Sequence, residues 1–336
     1  MKRLIICCDG TWNTPESNYV TNVAHMARAI KPLSSKGIQQ VVFYDWGVGT
    51  DGKLDSLTGG GLGEGIDKNI KDAYRFLVHN YAPGDELWFF GFSRGAYTAR
   101  SCIGLLRNAW LLHKSKAQLI NKAYHIYRTK WHADAENARL FREPNGQAVT
   151  IKFLGVWDTV GALGIPLDIF RSANDDRYQF HDTAISSTVE NAYHALAIDE
   201  KRKPFAPTIW LTKKERERTE QSWFAGVHSD IGGGYREAGL SHIALEWMVE
   251  KANMSGLELD EDYLLNIYHQ NNEAQLHNSY KGAMRALGAF RRPIVATNSD
   301  ETLHISAEQR YFSDDKYRPK NLRDYLAKDE QIRLPL

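Results

Sequence analysis

The stretch Glu86-Leu87-Trp88-Phe89-Phe90-Gly91-Phe92-Ser93-Arg94-Gly95-Ala96-Tyr97-Thr98-Ala99-Arg100 decides the fold. An apolar run of strand composition runs into Gly-x-Ser-x-Gly, and a helical pattern comes directly after it. That order is the strand–turn–helix in which a nucleophilic serine projects from a strained, sharp turn. Gly91 and Gly95 flank Ser93 at two residues on either side. Without a Cβ they let the strand and helix pass close together. The helix start offers N–H groups and a positive dipole end to a developing oxyanion. The N–H of Arg94 is therefore the first oxyanion donor to expect. The bland alternative is a glycine-bounded turn that happens to hold a serine, and the flanking strand and helix argue against it.

Outward from this stretch, short apolar runs alternate with helical patterns. Residues 4–8, 41–44, 87–90, 149–156, 208–211 and 222–227 read as strands. Residues 66–80, 96–110, 116–129, 188–197 and 240–253 read as helices. Near-continuous apolar strands separated by helices predict an α/β fold of the α/β-hydrolase type. Its mostly parallel central sheet would carry helices on both faces. One domain over 1–336 is expected. A charged, aromatic helical insertion falls at about 112–147, and a peripheral segment at about 285–336 wraps the surface.

A serine nucleophile needs a base, and the base needs an orienting acid, in the chain order Ser, Asp or Glu, His. Phe153-Leu154-Gly155-Val156-Trp157-Asp158 places Asp158 just past one strand. Trp223-Phe224-Ala225-Gly226-Val227-His228-Ser229-Asp230-Ile231-Gly232 places His228 just past another. With parallel strands, Ser93, Asp158 and His228 leave the sheet at one carboxyl rim, where open α/β sheets place their sites. Asp182, Asp199 and Asp230 compete for the acid's role. Asp230 reads either as the orienter or as a loop cap. His194 and His242 fall in helical patterns, which leaves His228 as the histidine that ends a strand beside glycines. The turn Asp9-Gly10-Thr11-Trp12-Asn13 also leaves a strand end. It either supplies a second oxyanion donor from Gly10 or Thr11 or is merely a capped turn. Asp9, Asp230 and Gly232 are candidates to line the site. The apolar segment Gly161–Phe170 is an acyl groove, a lid or a buried connection.

Taken together, Asp9–Asn13, Gly91–Tyr97, Gly155–Val160, His194–Glu200 and Gly226–Tyr235 form an ordered set of motifs. This set resembles the catalytic domain of the type VI secretion phospholipase effectors, over about residues 3–250. The resemblance implies an α/β-hydrolase fold, a triad at Ser93, Asp158 and His228, and carboxylic ester substrates, phospholipid acyl esters foremost. A Ser-His-Asp acyl-enzyme mechanism would require no cofactor and no metal.

Bulk properties narrow the classes. The 336 residues carry a net charge of +1, so no whole-protein field points to nucleic acid or an anionic membrane. Transient membrane contact with a lipid substrate stays compatible with that balance, and oligomeric state is not legible. Cys7, Cys8 and Cys102 make a poor disulfide framework and read as small buried apolar side chains. The opening apolar run is too short for a secretory signal. No stretch reaches the length of a membrane span. Cytoplasmic synthesis is expected, with signal-independent export left open. Thr58–Gly65 is glycine-rich but fits no phosphate-loop pattern. In the turn Asp9-Gly10-Thr11, Cys7 stands where a dehalogenase-like phosphatase would need its nucleophilic acid. Two rivals remain: a metal-dependent hydrolase using Asp9, Asp158, His228 and Asp230, and an inactive α/β-hydrolase scaffold that binds a partner.

Overall fold

The computed structural model describes residues 1–10, 18–47, 59–129, 134–161, 185–211, 218–268, 274–282, 285, 288–295 and 300–333. The side chains of 59–64 and 329–333 fall outside that description. Thr11, most of the Gly161–Phe170 segment and Asp182 lie outside the described residues.

Along the chain come β1 (Arg3–Cys8), α1 (Asn22–Ala29), β2 (Gln40–Asp45), α2 (Gly59–Asn80), β3 (Glu86–Phe92) and α3 (Arg94–Ala109). A small hairpin, β4 (Leu111–Leu112) with β5 (Gly146–Gln147), brackets α4 (Ile120–Arg128) and α5 (Glu136–Arg142). Next are β6 (Ile151–Trp157), β7 (Ala192–Ala197), β8 (Thr219–Phe224), α6 (His228–Gly232), α7 (Gly239–Met254) and α8 (Glu261–Ile267). The chain ends with β9 (Glu301–Leu303), α9 (Ile305–Ser313) and α10 (Lys320–Arg333).

Seven strands form one sheet in the order β2-β1-β3-β6-β7-β8-β9, and every pair in it is parallel. The alternation of each strand divides its side chains between two layers. In β1, Leu4, Ile6 and Cys8 face the layer of α2, α3 and α4, while Ile5 and Cys7 face that of α1, α7 and α8. In β3, Leu87 and Phe89 take the first side and Trp88, Phe90 and Phe92 the second. Burial on both faces is why these strands read as continuous apolar runs. The three cysteines are buried and free, and burial pushes the Cys7, Cys8 and Cys102 thiols up.

The strand order reverses direction at β1 and β3. The chain leaves β1 toward β2 on one side and leaves β3 toward β6 on the other. That divergence opens a crevice at the carboxyl ends of the two strands, where the Asp9–Gly10 turn and Ser93 both lie.

Three expectations need correction. Residues 188–197 are not a helix: Ala192–Ala197 is β7, fully buried between β6 and β8. Its Ala-rich composition favours a helix, and pairing on both edges overrides that preference. Residues 208–211 form no strand. There the Thr208 N–H donates to Thr159 O at 2.8 Å, and Pro207 bridges Val160. The C-terminal segment does more than wrap the surface. β9 extends the sheet beside β8, and Ile294, Ala307, Tyr317 and Leu322 close a third apolar cluster over Leu196, Ile198 and Trp223.

Candidate active site

Ser93 sits between β3 and α3 with φ 57° and ψ −122°, a left-handed backbone for a non-glycine residue. Such strain persists only where surrounding structure over-determines it. Here the restraints are explicit. The Ser93 N–H donates to Trp157 O at 3.1 Å, tying the turn to the end of β6. A Cβ on Gly95 would lie 2.1 Å from Cys8 O and 2.4 Å from Asp9 O. A Cβ on Gly91 would meet the backbone of Ala96 at 2.6 Å. The two glycines thus let α3 start directly against the end of β1.

Asp158 comes directly after β6 with φ 39° and is fully buried. β7 runs further than its pairing with β6, and the Ala197 N–H donates to Asp158 Oδ1 at 3.1 Å. His228 begins α6, one turn after β8. Its Nδ1 lies 2.6 Å from Asp158 Oδ2 and its Nε2 lies 2.8 Å from Ser93 Oγ. The three residues from three strand ends therefore form one hydrogen-bonded chain. An Nδ1–H donated to the carboxylate leaves Nε2 to accept the serine proton, which is the neutral tautomer a general base requires. The imidazole packs between Phe92, ring centroids 4.6 Å apart, and Phe205, 4.9 Å apart. Ser93 and His228 retain 7% and 4% exposure, so the chain is sealed nearly to its tip.

Electrostatics depend on a residue the sequence did not single out. Arg292, itself fully buried, meets Asp158 with both arms: Nη1 to Oδ1 at 2.6 Å and Nη2 to Oδ2 at 3.0 Å. The same fork donates to Ala197 O at 2.9 Å and Phe205 O at 2.6 Å. Burial pushes the Asp158 carboxyl up, but the Arg292 charge and the bonds from His228 and Arg292 outweigh it. The carboxyl is held well below the usual carboxylate range. Burial moves His228 the other way, below its ordinary value, with Asp158 opposing. Glu200 accepts the His228 N–H at 3.3 Å and is clamped by Arg202 at 2.8–2.9 Å. Against its own burial, that clamp holds it at about 2.

The remaining predicted residues have other duties. Asp230 does not orient His228. It accepts the Val227 N–H at 3.0 Å and pairs with His277 Nδ1 at 2.6 Å, which caps α6. Gly232 lies against Phe92, whose ring a Cβ would overlap at 2.0 Å. Asp9 is buried and accepts from Thr21 at 2.5 Å, Tyr44 at 2.6 Å and the Gly10 N–H at 2.6 Å. The Gly10 N–H is thus turned to its neighbour's carboxylate. Arg94 opens α3. Among the described residues, no group of three or more His, Cys, Asp or Glu side chains is arranged to hold a metal.

A family model described as the type VI secretion phospholipase effector Tle1-like catalytic domain matches residues 2–251. The chain belongs to this family. The uncharacterized protein YEL023C of Saccharomyces cerevisiae is 28% identical over 229 residues, 61% of this chain and 32% of its own length. A crystal structure of an uncharacterized Pseudomonas aeruginosa protein aligns with a TM-score of 0.49 at 21% identity, over 77% of this chain and 46% of that one. A Tle1 effector bound to the VgrG spike of the type 6 secretion system aligns at 0.39 and 21%, over 70% and 52%. The chain spans about a third of the yeast relative and about half of each solved structure. Arg292 lies beyond the residues the family model covers.

Proposed function

We propose that the chain hydrolyses phospholipid acyl esters through an acyl-enzyme, with Ser93 as nucleophile, His228 as base and Asp158 as orienter. One observation carries this reading: the unbroken hydrogen-bond chain Ser93 Oγ–His228–Asp158 on a strained strand-to-helix turn. Ser93 Oγ attacks the ester carbonyl while His228 Nε2 takes its proton. The carbonyl oxygen becomes an oxyanion at the N-terminus of α3, within reach of the Arg94 N–H. The imidazolium gains the Asp158 charge at Nδ1, then protonates the leaving alcohol. Water, deprotonated by His228, attacks the acyl carbonyl and releases the fatty acid, and the proton returns to Ser93. Phe92 and Phe205 keep the imidazole in an apolar setting where these charges act strongly. Family membership supports a phospholipid substrate, and the apolar surroundings of the base suit an acyl chain. Among the described residues, no helix is long and apolar enough to cross a membrane.

The test is fatty-acid release from vesicles of phosphatidylethanolamine and phosphatidylglycerol, beside short and long p-nitrophenyl esters and fluorophosphonate labelling. Ser93→Ala should abolish labelling and cost roughly 10⁴-fold or more in rate. Undiminished activity in Ser93→Ala sinks the nucleophile assignment. Turnover of soluble esters with no release from vesicles or detergent micelles sinks the phospholipid assignment alone.

A further inference from the structure

We infer that Arg292, delivered by the C-terminal segment, is a positioning residue of the active site: it holds Asp158 and sets the basicity of His228. This rests on the serine-hydrolase reading above.

Three features set the contact apart from an ordinary structural ion pair. Both partners are fully buried, so neither charge is screened by water. The guanidinium meets the carboxylate as a two-pronged fork, which fixes the carboxylate plane as well as its position. The carboxylate so held is the one that receives His228 Nδ1. Arg292 is held in turn by Ala197 O and Phe205 O, the first at the end of β7 and the second in the short 3₁₀ turn Lys203–Phe205, whose Phe205 ring packs edge-on against the imidazole. A lysine at this position has one point charge and no fork.

The charge has a direction. A lone buried carboxylate beside an imidazole favours the imidazolium strongly. A carboxylate paired with a guanidinium favours it less. Among the described residues, the other charged groups that act on His228 are Glu200, which accepts its N–H, and Arg202, which clamps Glu200. On α6 itself, Asp230 is turned to His277. Arg292 also stands near Glu200 and His194, and Asp158 is its one direct ionic partner among the described residues. With Arg292 in place the base stays neutral, and competent, to lower pH. Without it, His228 protonates at higher pH and the acid limb of the rate profile moves up.

The experiment is a set of pH profiles of kcat and KM on a p-nitrophenyl ester for wild type, Arg292→Met, Arg292→Lys and Ser93→Ala, with thermal unfolding of each. Arg292→Met should lower kcat by roughly 10- to 100-fold, the order a small misplacement of a catalytic group costs, with KM little changed. Its acid limb should shift to higher pH. Arg292→Lys should lose rate yet keep the limb near wild type, because the charge remains. A folded Arg292→Met with unaltered kcat and an unmoved limb overturns the inference. If that variant does not fold, a folded Arg292→Lys with wild-type kcat overturns it equally, since the fork would then be dispensable. Activity that survives in Ser93→Ala fails differently: it removes the serine reading itself, and the inference with it.

Discussion

At the residue scale, legibility in the sequence depends on whether a residue announces itself locally. Ser93, Asp158 and His228 each end an apolar run beside glycines, and that local signature is what brings them forward. Arg292 has no such signature. It stands in Arg291-Arg292-Pro293, a charged run like many on a surface, and its role comes from a partner 134 positions earlier. His194 misleads for a related reason. It looks helical, yet it is a fully buried strand residue whose Nε2 accepts the Thr159 N–H at 3.1 Å. That bond fixes the backbone directly after Asp158. Burial, then the charge of Arg100, lower His194 to about 3, so it is neutral in the fold. The sign is set by that shift: the unfolded chain takes up a proton near 6.5 and the folded one resists until about 3. The stability tied to this histidine is therefore whole above about pH 6.5 and falls as pH drops through that window. Between pH 7 and pH 5 the loss should be about 2 kcal/mol. His194→Gln, which can still accept the Thr159 N–H, should not show that part of the loss. Urea unfolding of both proteins at the two pH values decides it. Equal pH losses in the two would show that His194 does not titrate in this way.

At the element scale, the contact between α3 and β1 positions Ser93 and the start of α3. α3 begins so close to β1 that a Cβ at Gly95 would collide with the carbonyl oxygens of Cys8 and Asp9. The crowding atoms are backbone, so no side chain can rotate away. Gly95→Ala must separate strand end from helix start, moving the Arg94 N–H and the Asp9–Gly10 turn relative to Ser93. Overpacking of this kind costs about 1–3 kcal/mol. The expected result is a lower urea midpoint together with a fall in kcat, whereas a wild-type midpoint and kcat would mean that the two elements can part without harm. The spacing of Gly91 and Gly95 makes this contact legible from sequence. The strand character of β7 is not legible. Its Ala-Tyr-His-Ala-Leu-Ala run becomes a strand through the neighbours it pairs with, and those are set by distant sequence.

At the scale of the whole molecule, the question is whether the part that matches the family can stand without the C-terminal segment. The central sheet and both helical layers are legible as alternating apolar runs and helical patterns, while the C-terminal segment looks peripheral because its charges hide a few buried anchors. Ile294, Ala307, Tyr317 and Leu322 cover Leu196, Ile198 and Trp223. The Trp223 Nε1–H donates to Glu301 and the Trp210 Nε1–H to Asp300, each at 3.0 Å. A chain ending at residue 284 keeps α8 and His277 but loses β9, α9, α10 and Arg292. Each large apolar side chain returned to water costs about 1.5–3 kcal/mol. Leaving Asp158 buried without its partner costs about 3–5 kcal/mol more. Against a total stability of about 5–15 kcal/mol, these losses are enough to unfold the chain or leave it with an exposed apolar face. The shortened protein should therefore be insoluble or bind a hydrophobic dye, and show no ester turnover. A soluble, cooperatively folding 1–284 with wild-type kcat/KM would mean that β9 and the last two helices are an appendage, and that Asp158 needs no counter-charge from beyond the family domain.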